Sequence, residues 1–179
     1  VTKQEKTGLV HIYCGEGKGK TTAAMGLIAR ALGHAYRVLL VQFLKNGKSG
    51  ELATLRQLPG IQILAGQVTA KFSIAMTDQE KTATRALHLD YFHTATGLAR
   101  QNSIDLLVLD EILGAIESGM MTEDELVDFL DSKPDGLEVV MTGRIASARL
   151  MERADYISQI ACVRHPYQRG ILAREGIEY

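Results

Sequence analysis

Gly15-Glu16-Gly17-Lys18-Gly19-Lys20-Thr21 is the stretch on which the fold turns. An apolar run, Leu9–Cys14, precedes it, and Ala24, Leu27, Ile28 and Ala31 follow at helical spacing. A glycine-rich turn between a strand and a helix is where backbone N–H groups can point inward onto phosphate oxygens. Lys20 adds a mobile cation, and the Thr21 hydroxyl stands where it can coordinate Mg2+ at the helix N-terminus. The usual spacing places four residues between the first glycine and Gly-Lys-Thr. Here Cys14 occupies the first glycine's place and the loop is one residue short.

Working outward, short apolar runs at Val38–Phe43, Ile61–Leu64, Ile104–Leu109, Leu137–Met141 and Tyr156–Ala161 alternate with longer stretches of helical period. That alternation predicts an α/β fold with a mainly parallel sheet of about six strands, each covered on both faces. Leu87, Tyr91, Ala95 and Leu98 predict a long helix that Thr77 and Glu80 open as a capping box. Thr122 and Glu125 open another, with Met121 stapled to Leu126 and Glu123, Asp124, Asp128 and Asp131 on a solvated face. The 179 residues contain no repeat and no linker, so a single domain over 1–179 is expected.

A second chemical signal is Ile104-Asp105-Leu106-Leu107-Val108-Leu109-Asp110-Glu111, an apolar strand ending in two carboxylates. The carboxyl end of such a strand faces the crevice where α/β sheets bind ligands. Either Asp110 or Glu111 could there complete a magnesium site begun by Thr21 and phosphate. Thr142-Gly143-Arg144 ends the next strand, and from position alone Arg144 reads equally as an exposed turn residue or as a phosphate contact.

Composition closes other routes. With 20 Lys+Arg against 21 Asp+Glu the chain lacks the basic excess of a nucleic-acid binder. No apolar run reaches the roughly 18 to 20 residues of a membrane span, and polar Val1–Gly8 shows no signal peptide or anchor. Two cysteines without a CxxC spacing fit a reducing cytoplasm, and Cys14 is expected to pack at a strand end. The five histidines form no tight ligand pair, His88 and His93 reading as surface or packing residues, and no nucleophile motif is present. What remains is a triphosphate and magnesium cradle whose attacking group could come from a second substrate.

The chain resembles the ATP:corrinoid adenosyltransferases. The resemblance rests on the shortened loop with Thr22-Ala23-Ala24, Val41-Gln42-Phe43-Leu44-Lys45, Leu109-Asp110-Glu111, Thr142-Gly143-Arg144, and a tail running from His165-Pro166-Tyr167 through Gly170-Ile171 to Gly176-Ile177-Glu178-Tyr179. It implies a three-layer P-loop fold, usually dimeric, and attack by corrinoid Co(I), on cobalamin or cobyrinic acid a,c-diamide, at C5′ of ATP with release of tripolyphosphate. Reduced cobalt, supplied with electrons by a flavoprotein partner, would then be the nucleophile. On this resemblance Gly15, Glu16, Gly17, Lys18, Gly19, Lys20, Thr21, Arg30 and Arg144 would contact ATP. Thr21, Glu111 and Asp110 would hold Mg2+, with Lys20 and Glu111 catalytic. The family often places a Trp-containing aromatic pair against the corrin, but this chain has no Trp, leaving Phe72 within Ala65–Met76 for that role. About eight residues precede the first strand, so the N-terminal helix of some relatives is not expected here. The rivals are a P-loop NTPase or kinase cutting at the γ-phosphate and an ATP-dependent binding module.

Overall fold

Residues 7–66 and 75–178 are described by a computed structural model. Six strands, β1 (Val10–Cys14), β2 (Val38–Gln42), β3 (Ile61–Ala65), β4 (Leu106–Asp110), β5 (Glu138–Thr142) and β6 (Tyr156–Gln159), form one sheet in the order β3-β2-β4-β5-β1-β6. Every neighbouring pair is parallel. The helices are α1 (Lys20–Gly33), α2 (Gly50–Leu55), α3 (Asp78–Arg100), α4 (Ile112–Glu117), α5 (Glu123–Asp131) and α6 (Ala148–Met151).

Alternation along each central strand divides the core in two. Val38, Leu40, Leu106, Val108 and Val140 pack with Ala24, Ile28 and Ala31 of α1 and Leu52 and Leu55 of α2. Their neighbours Leu39, Val41, Leu107, Leu109, Val139 and Met141 meet α3, α4 and α5 through Phe92, Ile112, Leu126 and Phe129. Successive strand side chains point to opposite faces, so a strand buried on both must be apolar throughout, as β2 and β4 are except at their last residues.

The two edges depart from that expectation. β3 is only half buried and all four residues of β6 are exposed, because each borders a single strand. The long helix departs in its stripe. Thr77 and Glu80 do form the capping box, with the Thr77 amide 2.8 Å from Glu80 Oε2. The buried line is Thr84, His88, Phe92, Ala95 and Ala99: Ala95 is buried as predicted, while His88, Phe92 and Ala99 stand one position beyond the predicted Leu87, Tyr91 and Leu98. A threonine and a histidine fill it, and hydropathy reads those types as polar. At α5 Thr122 caps as expected, Met121 and Leu126 share the core, and the solvated acids Asp124 and Asp131 pair with Arg149 and Arg153.

Candidate active site

The carboxyl ends of β1, β2, β4 and β5 converge, and their last residues are Cys14, Gln42, Asp110 and Thr142. From β1 the chain enters the glycine loop, and α1 begins at Lys20 behind Gly19, whose φ of 118° is left-handed. Gly15, at φ 103°, lies against the segment after β6: a Cβ there would stand 2.5 Å from the Ile160 carbonyl oxygen. The loop is stitched to its surroundings by its own amides. Gly15 donates to the Arg144 carbonyl and Gly17 to the Ile160 carbonyl, both at 2.8 Å. Those two glycines therefore shape the loop, and their amides are not aimed at a phosphate as the sequence suggested. The first turn of α1, which opens at the same pocket, carries amides without an intrahelical acceptor, a setting suited to an anion. Lys20 folds back over the loop, its Nζ 2.6 Å from the Gly15 oxygen and 2.8 Å from that of Gly17.

Asp110 is the hub of the site. It is fully buried at the end of β4, in register with Gln42 of β2. Its Oδ1 accepts from the hydroxyls of Thr21 at 2.9 Å and Thr142 at 2.7 Å. Its Oδ2 accepts from Lys45 Nζ at 2.6 Å and Gln42 Nε2 at 3.2 Å. Four donors around one carboxylate compensate its burial. Glu111 has left the strand, with φ 64° at the N-cap of α4, and its amide donates to Thr142 Oγ1 at 2.8 Å. Burial raises its pKa, as does the Asp110 charge, while Lys45, Lys20 and Arg144 pull it back.

A polar pocket of about 290 Å³ opens beside this hub, lined by the loop from Gly17 to Thr22 together with Glu111, Arg144, Ile177 and Glu178. Arg144 is exposed and 3.6 Å from the equally exposed Glu16. The turn that presents it is tight, since a Cβ on Gly143 would come within 2.4 Å of Leu113 Cβ. Glu178 brings the C-terminal tail to the rim. Arg174 bonds its carboxylate and, together with Lys18 nearby, holds the pKa down at about 2.

Lys18, Lys20, Thr21, Glu111 and Arg144 are thus gathered at one pocket, with Asp110 directly beneath. Arg30 is not brought there. It lies ten residues beyond Lys20, roughly 15 Å along the helix, and lines a different pocket with Leu27, His34, Tyr36, Leu106 and Glu138. Leu106 and Glu138 begin their strands, so that pocket is at the opposite end of the sheet. Phe72 lies outside the described residues. Sequence reasoning gave no role to Gln42, Lys45, Thr142 or Glu178. A glutamine closing an otherwise apolar strand, with a lysine three residues on, was the available signal for the first two.

A strand, a phosphate loop, a helix, and a buried aspartate hydrogen-bonded to the loop threonine define the P-loop class of nucleotide-binding α/β proteins. Within that class the chain belongs to the ATP:corrinoid adenosyltransferase BtuR/CobO/CobP family, whose profile matches residues 6–179. It is 31% identical to a corrinoid adenosyltransferase of Pseudomonas aeruginosa over 98% of this chain and 86% of that protein. It is 32% identical to the corrinoid adenosyltransferase of Escherichia coli K12 and to the corrinoid adenosyltransferase CobA of Salmonella typhimurium, each over 98% of this chain and 88% of the relative. Among solved structures, ATPases 2 and 3 of Thermomonospora curvata EccC, in complex with a signal sequence peptide, superpose with a TM-score of 0.53 at 17% identity. That match covers 89% of this chain and 32% of the larger one, and it shows the P-loop ATPase fold.

Proposed function

We propose that the pocket holds ATP by its triphosphate and presents C5′ to the Co(I) centre of a corrinoid. The cobalt electron pair forms the Co–C bond, the C5′–O bond breaks, and its electrons leave on tripolyphosphate. The observation that carries this reading is the family match over residues 6–179 joined to a cationic pocket at the phosphate loop. Lys18, Lys20 and Arg144 surround the place where negative charge would grow on the leaving group, the arrangement by which fixed charges stabilise a transition state. A nucleophile brought by the second substrate leaves the protein to bind, orient and exclude water.

The donor set fits Mg2+. Thr21 Oγ1, Asp110 and Glu111 are hard oxygen donors beside a phosphate pocket, and a lysine ammonium already lies between Thr21 and Asp110 as a cation would. Bound there, the ion would offset charge on the triphosphate.

Phe72 is proposed to lie against the corrin. A homodimer is proposed from the exposed apolar side chains of β6 and the tail, among them Tyr156, Ile157, Tyr167 and Leu172. An electron-donating flavoprotein is proposed as the source of reduced cobalt. A cytoplasmic location accords with two free cysteines, one buried and one exposed. No helix among the described residues is long and apolar enough to cross a membrane.

The rival reading makes Glu111 a base for water attack at the γ-phosphate, which its place in the pocket and raised pKa would suit. The phosphate product decides between them. With ATP, Mg2+ and chemically reduced cobalamin, tripolyphosphate should form in step with the absorbance change of adenosylcobalamin. Stoichiometric ADP without a spectral change would overturn the proposal.

A further inference from the structure

Beyond Gln42 the chain makes a turn that no strand or helix requires. Phe43 is fully buried, and Leu44 is held in the left-handed region at φ 55°, uncommon for a residue with a side chain. The Leu44 amide donates to Nε2 of the buried His88 at 3.3 Å, and Phe43 meets the same ring edge to face at 5.2 Å. This anchored turn aims the next side chain, Lys45, back at the sheet end. Its Nζ stands 2.6 Å from Asp110 Oδ2 and 3.1 Å from Thr21 Oγ1.

Those two oxygens belong to the donor set assigned above to the divalent cation, so this inference rests on that reading. The Thr21 hydroxyl gives its proton to Asp110 Oδ1 at 2.9 Å, and the ammonium then takes a lone pair on the same Thr21 oxygen. A magnesium ion needs that oxygen at roughly 2.0 to 2.1 Å. Ammonium and metal would then stand no more than about 5 Å apart, where like charges repel strongly away from bulk water. Each therefore weakens the other's hold on the position.

We propose that Lys45 is the resident counter-ion of Asp110 and competes with the divalent cation for it. In the free protein the ammonium neutralises the buried carboxylate and keeps the Thr21–Asp110 pair from capturing a metal. Metal entering with a triphosphate brings phosphate ligands of its own and offers the displaced ammonium, 28% exposed and on a flexible stem, another anion to meet. Lys45 is a positioning residue on this account, since it sets when the metal enters.

Two measurements on the whole protein test it. In the first, Mn2+ alone is titrated and the free ion followed by electron paramagnetic resonance. Wild type should bind Mn2+ weakly without nucleotide, Lys45→Met at least tenfold more tightly, and Lys45→Arg as weakly as wild type. In the second, acetic anhydride labelling of the wild-type Lys45 amine, read by mass spectrometry, should quicken as Mn2+ saturates the protein. This measurement needs no variant to fold. Equal Mn2+ affinity in wild type and Lys45→Met, or labelling unchanged by bound Mn2+, would overturn the proposal while leaving the metal site in place. If wild type bound no Mn2+ even with ATP present, the metal reading itself would fall and this inference with it.

Discussion

The Thr142 hydroxyl donates to Asp110 Oδ1 across the ends of β5 and β4 at 2.7 Å, and Thr142 Oγ1 in turn accepts the Glu111 amide at 2.8 Å. One side chain thereby fixes both carboxyl-bearing residues of the site, orienting the buried aspartate and holding Glu111 at the helix entry.

Thr142→Val keeps the volume and removes the hydroxyl. It leaves the Glu111 amide without its acceptor and Asp110 with one donor fewer, a loss of about 1–3 kcal/mol in stability. Turnover should fall more than nucleotide binding does, because Glu111 moves while the cations of the loop stay. Chemical denaturation and ATP titration of the purified variant check both parts. Wild-type stability together with unchanged turnover would show that Thr142 does not orient Glu111.

Lys20→Ala should lower turnover by roughly a hundredfold or more, the scale of losing one preorganised charge-stabilising group. Lys20 also bridges the Gly15 and Gly17 carbonyls. Its removal should therefore speed hydrogen exchange in the glycine loop, with the distant edge strand β3 unaffected. Exchange measured by mass spectrometry, beside a turnover assay, separates the two roles.

The central strands were legible in the sequence because burial on both faces forces a run of apolar residues, as in Val38-Leu39-Leu40-Val41. The exposure of β6 was not, since its apolar letters reflect a surface that the sheet itself leaves uncovered. The loop was legible as a motif, but where its amides point was not. That depends on Arg144 and Ile160, which lie just beyond β5 and β6, remote in sequence. Adjacent Asp110 and Glu111 could not be told apart until register placed one under the sheet's end and the left-handed turn sent the other to the pocket. The displacement of Arg30 to the opposite end of the sheet follows from helix rise, which motif matching ignores.

Glu111→Gln trades function for stability. Burial and the Asp110 charge raise the Glu111 pKa, so the folded protein holds this proton more tightly than the unfolded chain does. The ionised form therefore costs stability above that pKa, and the cost is relieved as pH falls. Without metal or nucleotide, the glutamine variant should melt higher than wild type at pH 7.5, with the gain shrinking as pH falls toward the ordinary carboxylate range. Turnover should drop by roughly a hundredfold or more. A variant that melts lower at pH 7.5, in the absence of any ligand, would contradict this.

His88 makes the fold sensitive to acid. Burial pushes its pKa down from 6.5 to about 4, and its Nε2 must stay unprotonated to accept the Leu44 amide. The proton of the neutral ring then sits on Nδ1, which is buried without a partner among the described residues. Between pH 6.5 and 4 the unfolded chain binds a proton that the native ring refuses, so stability falls with pH across that window, by up to about 3 kcal/mol at 1.36 kcal/mol per pKa unit. His88→Leu removes the titration and also the acceptor for the Leu44 amide. It should be less stable than wild type at pH 7.5, by about 1–3 kcal/mol, yet lose less on acidification from pH 6.5 to pH 4. Urea midpoints at pH 7.5, 6.5, 5.5 and 4.5 for the two proteins would reveal the converging curves. Parallel curves would show that His88 is not the group whose protonation loosens the turn holding Lys45.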